Sequence, residues 1–264
     1  MNAELLLRFV LDCDRAYLFA HPERELTPAE ESRYEAALSE RSRGVPAQYI
    51  TGHQEFWGMD FIVTPAVLIP RPETEHLVET ALELIKSHIG LQASVRLVDV
   101  GTGSGCIALA LAKELPRAEI DATDNSGSAL EIARANAARL QLENRIHFHR
   151  TDLLHGLKGP FDIVVSNPPY VGDSEEDHVQ LEVRKFEPRS AVFAGAHGTE
   201  VIARLVPQAQ ALLRPGGWLI LEISDTIADE TRPLLEAWDE VEVAADLQSI
   251  PRVVRARRPK GECG

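Results

Sequence analysis

The chain is predicted to be an α/β protein with a doubly wound parallel sheet, preceded by a small helical domain and a β-hairpin linker. Three observations predict this. Short apolar runs recur between helical stretches, near residues 95–100, 119–123, 146–149, 161–165 and 216–223, the alternation expected of β-α-β units. One of them passes through a glycine-rich turn directly into an apolar helical stretch. The first fifty or so residues carry helical spacing instead.

Within that first segment, Leu5-Leu6-Leu7-Arg8-Phe9-Val10-Leu11 and Tyr34-Glu35-Ala36-Ala37-Leu38 repeat apolar residues at helical intervals. Thr27-Pro28-Ala29-Glu30 has the cap, proline and acid of a helix start. Residues 54–63 then suggest two short strands around a turn, in which Phe56 and Trp57 serve packing. The expected division is 1–52 for the helical domain, 53–72 for the hairpin linker and 73–264 for the α/β domain.

Val95-Arg96-Leu97-Val98-Asp99-Val100 reads as a buried parallel strand, and Gly101-Thr102-Gly103-Ser104-Gly105 leads from it into a helix at Cys106. Glycines are wanted where a backbone bends tightly and a ligand approaches closely, and N–H groups at a helix start favour an anionic group. The spacing is GxGxG, not the GxGxxG of pyrophosphate binders, which argues against a nicotinamide or flavin dinucleotide. After the strand 119–123 comes Asp124, placed to take both hydroxyls of a ribose. Together these describe a nucleoside site without a pyrophosphate. S-adenosylmethionine fits it, its carboxylate near the glycines and its ribose on Asp124. Taken singly, the glycines are a common turn and Asp124 a common helix cap.

The run Phe161 to Val165 ends shortly before Asn167-Pro168-Pro169-Tyr170. An amide or aromatic-amine nitrogen is a poor nucleophile because its lone pair is delocalised. The Asn167 side-chain oxygen and the Pro168 carbonyl are suited to accept both hydrogens of one planar NH2 group, and Tyr170 to stack on it. Pro168 and Pro169 make a stiff extended bend, and rigid placement is what this chemistry needs. The motif points to methylation of an amino or amide nitrogen. The alternative is a strand ending in a turn that merely contains prolines.

A formal charge of −14 has the wrong sign for tracking a phosphate backbone, so a protein or small-molecule substrate is favoured. Arg252, Arg255, Arg257, Arg258 and Lys260 form a late basic cluster, read as a solvated terminal strand and tail. Cys13, Cys106 and Cys263 are scattered and lack zinc-ligand spacing, so reduced thiols and no metal are expected. Cys106 is read as a small residue packed behind the glycine loop, in preference to a reactive thiol. His147 and His149 share a strand face and are read as strand residues. No secretory signal, long apolar span or lipidation motif is evident, and a cytoplasmic protein is expected.

Leu68-Ile69-Pro70-Arg71-Pro72-Glu73-Thr74-Glu75, Asp99 to Gly105, Asn167 to Tyr170 and Phe186-Glu187-Pro188-Arg189, in that order, resemble the release-factor glutamine N5-methyltransferase family, often called HemK. The similarity extends to Tyr49 to Gly52, Glu55 to Gly58 and Arg252 to Val254, and covers nearly the whole chain. Arg71 to Glu75 is its most specific piece, since Asn-Pro-Pro-Tyr is shared with nucleic-acid amino methyltransferases and with a sister enzyme acting on a ribosomal-protein glutamine. Those two activities, and a non-catalytic cofactor-binding module, are the alternatives.

The resemblance implies methylation of the glutamine in the Gly-Gly-Gln loop of peptide-chain release factors with S-adenosyl-L-methionine as cofactor. It implies a Rossmann-like class I methyltransferase sheet with a final antiparallel strand. A monomer is expected, and the charge and the lack of a long apolar span lead to no expectation of stable nucleic-acid or membrane binding. Gly101, Thr102, Gly103, Ser104, Gly105, Asp124 and Asn167 would contact the cofactor, and Asp152 and Leu153 would border its adenine. Asn167, Pro168, Pro169 and Tyr170 would hold the glutamine, with Asn167, Pro168 and Tyr170 catalytic. The chain departs from the family at Ser224, Ile227 and Asn125, where glycine, glutamine and an apolar residue are commoner. It also opens at Ala3 to Leu7 where relatives usually have a further helix or two, so a short docking domain is expected.

Overall fold

The computed structural model describes residues 2–90, 93–246 and 248–261; Cys263 lies outside them. The chain begins with helices α1 (Asn2–Leu11), α2 (Arg15–Ala20), α3 (Pro28–Ser42) and α4 (Ala47–Thr51). The start anticipated at Thr27 is a capping box: its hydroxyl accepts from Glu30 N at 3.3 Å and the Glu30 carboxylate accepts from Thr27 N at 2.9 Å. Helix α2 was not anticipated. It is six residues long, opens where Asp14 accepts from Tyr17 N at 2.7 Å, and buries nothing. Among the described residues before Pro46 only Leu6, Val10 and Ala37 are buried, while Phe9 and Phe19 are 47% and 70% exposed. So small a core needs support from its neighbours.

Helix α4 is tied to the segment on its carboxyl side. The Gly52 carbonyl accepts from Val63 N at 2.9 Å and the Tyr49 hydroxyl donates to Val67 O at 2.6 Å. Between these anchors runs the hairpin of β1 (His53–Phe56) and β2 (Met59–Ile62). Its turn residues Trp57 and Gly58 sit at φ +54° and +62°, the left-handed pair a two-residue hairpin turn requires. Phe56 and Phe61 are buried edge to face, as the packing role predicted. Trp57 packs against the same cluster and donates its indole N–H to Glu114 Oε1 at 3.0 Å. Buried Asn136 fastens the hairpin to the glycine loop, accepting from Ile62 N at 2.7 Å and donating to Ile62 O at 3.0 Å and Ser104 O at 2.9 Å.

The α/β part runs α5 (Glu75–His88), β3 (Arg96–Val100), α6 (Cys106–Glu114), β4 (Glu119–Asp124), α7 (Gly127–Arg139), β5 (Ile146–Arg150) and β6 (Phe161–Ser166). A small excursion of β7 (Val171–Gly172), α8 (Leu181–Phe186), α9 (Arg189–Val192) and β8 (Phe193–Gly195) comes after β6. It returns through α10 (Glu200–Leu212), β9 (Leu213–Glu222), α11 (Ala228–Thr231), β10 (Asp239–Ala245) and β11 (Pro251–Arg257). Seven strands form one sheet in the order β10-β11-β9-β6-β3-β4-β5, parallel except for β11, which is antiparallel to both neighbours. One apolar cluster, with Leu84, Leu109 and Ile120, joins α5, α6 and the hairpin to the sheet; a second, with Leu205, Val164 and Trp238, lies under α10. The chain leaves β3 toward β4 and β5, then returns to the other side through β6. That reversal puts the switch point of the sheet, where α/β ligands bind, at the carboxyl ends of β3 and β6.

Of the late basic residues Arg252, Arg255 and Arg257 belong to the terminal strand, and Arg258 and Lys260 follow it. Arg252 meets Asp246 at 3.0 Å, Arg255 meets Glu242 at 3.1 Å and Arg257 meets Glu240 at 2.6 Å. His149 Nε2 lies 2.6 Å from Asp121 Oδ1 on the neighbouring strand. Among the described residues no helix is long and apolar enough to cross a membrane, and no group of three or more His, Cys, Asp or Glu side chains could hold a metal ion.

Candidate active site

A cavity opens at the switch point. Its floor is Gly101 to Ser104 after β3 and Thr123 to Ser126 at the end of β4; Asp152, Leu153, Asn167, Pro169 and Arg204 add walls, and Ala66 to Thr74 with Pro188 to Ala191 close over it. Of the residues expected to contact a cofactor, Gly101, Thr102, Gly103, Ser104, Asp124, Asp152, Leu153 and Asn167 all line this one space.

Gly105 stands behind it. At φ +84° it caps α6, and a Cβ there would meet Leu109 Cδ1 at 3.1 Å and Ala133 Cβ at 3.3 Å, so this glycine lets α6 and α7 pack closely. The loop's N–H groups are largely spent internally: Gly101 N and Thr102 N on Thr123 O, Gly105 N on Thr102 O, Gly103 N on Asp124. The glycines therefore serve a ligand by close approach of the chain, more than by an array of free donors. Asp124 accepts from Gly103 N at 3.0 Å through Oδ2 and from Ser126 N at 2.9 Å through Oδ1; each oxygen keeps a lone pair. Ser126, not Asp124, caps α7. Burial raises the Asp124 pKa, against the hydrogen bonds from Ser126 and Gly103.

Beneath the loop lies Asp99, fully buried. Burial pushes its carboxyl up to about 7 although Thr102 Oγ1 donates to it at 2.6 Å and Ala108 N at 3.2 Å. Its Oδ1 has no hydrogen-bond partner among the described residues. Cys106 is buried beside it, and burial with the Asp99 charge pushes the thiol up to about 12. That is the inert packing residue expected, not a nucleophile.

On the acceptor side, Asn167 Nδ2 donates to Thr74 Oγ1 at 3.1 Å, which leaves Oδ1 for the cavity that Asn167 lines. Pro169 also lines the cavity, whereas the side chains of Pro168 and Tyr170, expected to hold the glutamine, do not. The Tyr170 hydroxyl donates to buried Glu222 Oε1 at 3.3 Å, and burial together with the Glu222 charge raises its pKa. Tyr170 is thus anchored from below, a contact that the stacking role did not anticipate. The roof is pinned by an ion pair: the Arg71 guanidinium bonds Glu187, whose carboxylate also accepts from Ile69 N at 3.1 Å. Asp152 pairs with Arg204 at the rim. Ser224 and Ile227 do not line the cavity, whereas Asn125 does.

Residues 1–52 match the PrmC N-terminal domain and residues 74–185 the methyltransferase small domain. A release factor glutamine methyltransferase of Koribacter versatilis is 54% identical, the alignment covering 98% of this chain and 91% of the relative. Relatives of the same name from Xylella fastidiosa and Coxiella burnetii are 42% and 40% identical over 98% of this chain and 93% and 91% of theirs. The chain belongs to the release factor glutamine methyltransferase family. Among solved structures, the hMettl16 catalytic domain has a TM-score of 0.62 at 18% identity, over 82% of this chain and 81% of that one. A T. thermophilus 16S rRNA methyltransferase solved with AdoMet and guanosine has a TM-score of 0.57 at 21% identity, over 78% of this chain and 49% of that one. These two share the class I methyltransferase fold.

Within this release factor glutamine methyltransferase fold, Arg71 and Thr74 also line the cavity, with Glu187 bonded to Arg71 and Glu222 to Tyr170; the sequence singles out none of the four as a site residue. Arg71, Thr74 and Glu187 stand inside the segments that carried the family resemblance. Glu222 left one signal, a carboxylate at the end of the apolar run from Trp218.

Proposed function

We propose that this protein transfers a methyl group from S-adenosylmethionine to the side-chain amide nitrogen of the glutamine in the Gly-Gly-Gln motif of peptide-chain release factors. The observation that carries this reading is the placement of Asn167: its amide NH2 is held by Thr74, its oxygen is left for the cavity, and it lines one cavity with the Gly101 to Ser104 loop and Asp124. The cofactor supplies an electrophilic methyl group on a sulfonium. The residues present suit it, because Asp124 retains acceptor capacity for ribose hydroxyls, the glycine loop admits close approach, and Asp152 and Leu153 flank room for an adenine.

Asn167 Oδ1 and the Pro168 carbonyl accept the two amide hydrogens of the substrate glutamine, which holds the NH2 group while its lone pair faces the methyl carbon. S-adenosylmethionine would supply the methyl group to that nitrogen, with its sulfur keeping the carbon–sulfur electron pair as a neutral thioether. The alkylated amide then sheds one proton to solvent, so no side chain acts as general base. Positioning and electrostatics supply the rate.

In this reading residues 1–52 dock the release factor, 53–72 link, and 73–264 carry the chemistry. Exposed Phe9 and Phe19 in the first part support docking. The charge of −14, and the pairing of Arg252, Arg255 and Arg257 with acids, favour a protein over a nucleic acid as substrate. The enzyme works as a cytoplasmic monomer. The test is methyl transfer to intact release factor, ribosomal proteins and double-stranded DNA, with peptide mass mapping. Label on the Gly-Gly-Gln glutamine supports the reading; incorporation into DNA or ribosomal protein alone overturns it.

A further inference from the structure

S-adenosylmethionine carries a sulfonium, an α-ammonium and an α-carboxylate, and the cavity must answer each charge. Among the described residues its lining holds two carboxylates, Asp124 and Asp152, and two guanidiniums, Arg71 and Arg204. The glycine loop is a poor place for the anion. The N–H groups of Gly101, Thr102, Gly103 and Gly105 are spent within the protein, and the acceptor of the third is the Asp124 carboxylate, at 3.0 Å. An acid so close suits an ammonium and repels a second carboxylate.

Of the two cations, Arg204 is engaged at the adenine end, where it pairs with Asp152. Arg71 belongs to the acceptor end. Its carbonyl accepts from Thr74 N at 3.1 Å, closing the short helical turn Pro72–Thr74, and Thr74 Oγ1 accepts from Asn167 Nδ2 at 3.1 Å. One turn of chain thus separates Arg71 from the residue that holds Asn167. The methyl group to be transferred has to face Asn167, so the amino-acid arm bonded to the same sulfur lies at this end too. The partner of Arg71, Glu187, stands outside the lining: its side chain is 1% exposed, with Oε1 on the guanidinium and Oε2 accepting from Ile69 N at 3.1 Å. Glu187 therefore fixes the guanidinium by one nitrogen, Nη2, while the Arg71 side chain stays 32% exposed and keeps further N–H donors for a ligand.

We infer that the Arg71 guanidinium is the counter-ion of the cofactor's α-carboxylate, with Glu187 holding it in place before the cofactor arrives. This rests on the reading of the cavity as the S-adenosylmethionine site. It seats the carboxylate under the roof, away from the glycine loop near which the sequence alone places it. A planar guanidinium matches a carboxylate with paired N–H groups. Holding it in advance matters, because a long side chain gives up rotamer freedom when it grips an anion, and here the buried acid has already restricted it. The roof then selects for nucleoside thioethers that carry the amino-acid carboxylate over those that lack it.

The experiment compares two ligands by calorimetry: S-adenosylhomocysteine, the thioether left after transfer, and decarboxylated S-adenosylhomocysteine, which differs only in lacking the carboxylate. Wild type should bind the first about tenfold to a hundredfold more tightly, the scale of hydrogen bonds between charged groups. Removing Arg71 alone leaves Glu187 buried without its partner, so Arg71→Gln is paired with a second variant, Arg71→Met with Glu187→Gln, which removes both charges and keeps an acceptor for Ile69 N. In both, affinity for S-adenosylhomocysteine should fall to about that of the decarboxylated ligand, whose own affinity should stay at its wild-type value and so reports an intact site. Arg71→Lys should keep part of the preference, because the charge remains and the fork is lost. Equal losses for both ligands, no loss for either, or a wild type that does not distinguish them overturns this inference alone. A wild type that binds neither ligand overturns the reading of the cavity as the cofactor site as well.

Discussion

Gly103 donates its backbone hydrogen to the Asp124 carboxylate at 3.0 Å, which makes the glycine turn after β3 and the acid at the end of β4 one unit. Removing the acid then has two effects. Asp124→Ala should weaken S-adenosylmethionine binding by about 1–3 kcal/mol, through loss of a charged acceptor and loss of the loop's tether. Asp124→Asn keeps an acceptor for Gly103 and should fall between wild type and the alanine variant. Calorimetry separates them; unchanged affinity in folded Asp124→Ala would remove this residue from the site.

Asn167 carries the acceptor side. Asn167→Ala should slow transfer by about a hundredfold or more with cofactor affinity kept, the scale of losing one partner in the transition state. Asn167→Asp should be milder, because an acceptor remains in place. Single-turnover methylation of release factor gives the comparison, and near-normal rates in the alanine variant would sink the proposed grip.

The parallel strands β3, β4, β5, β6 and β9, the glycine turn and the Asn-Pro-Pro-Tyr bend are legible because each rests on local chemistry: apolar runs, left-handed backbone and fixed proline φ. The same holds for the capping box at Thr27 and the hairpin turn at Trp57 and Gly58. The short β7 and β8 and the exposed edge strand β10 carry no such apolar run. What stayed hidden is long-range. That Thr74 holds Asn167, that Glu187 pins Arg71, and that Glu222 underlies Tyr170 depend on which strand ends meet at the switch point. Spacing carries no trace of such meetings. Helix α2 was missed for a different reason: it is short and buries nothing, so it has no periodic signal to read.

Asp99 should leave a mark on stability. Burial raises its folded pKa to about 7, above its value in the unfolded chain. Protons are then held more tightly by the folded state, so this group's contribution is full at low pH and is lost as pH rises through about 7. Asp99→Asn, which keeps an acceptor for Thr102 and Ala108, should raise the melting temperature of the cofactor-free protein more at pH 8 than at pH 5. Equal shifts at both would show that Asp99 is not the group responsible.

The Arg71–Glu187 pair joins the roof segment before α5 to the one before α9. Glu187→Ala strips the acceptor from Ile69 N as well as the partner from Arg71, and should cost about 1–3 kcal/mol in urea unfolding. Because the roof is shared by the cofactor and the glutamine, KM for release factor should rise too. Stability loss without any kinetic effect would mark the pair as purely structural.

The helical domain gives the sharpest test of substrate class. Helix α4 stays with the catalytic part, since Tyr49 bonds Val67 O and the Gly52 carbonyl bonds Val63 N. A chain beginning at Pro46 therefore removes α1 to α3 and keeps those anchors. It should bind S-adenosylmethionine as the full chain does, because the residues lining that cavity all lie beyond it. It should lose most activity on intact release factor, because one glutamine loop in the site offers little area and the rest of the binding energy must come from remote contacts. A short Gly-Gly-Gln peptide should be a poor substrate for both chains and should not distinguish them. Phe19→Ser in the full chain, at a position 70% exposed, should reproduce part of the loss as a raised KM with kcat kept. Equal activity of the two chains on intact release factor would show that α1 to α3 are not the docking surface, while a truncated chain that also loses cofactor binding would place the domain boundary elsewhere.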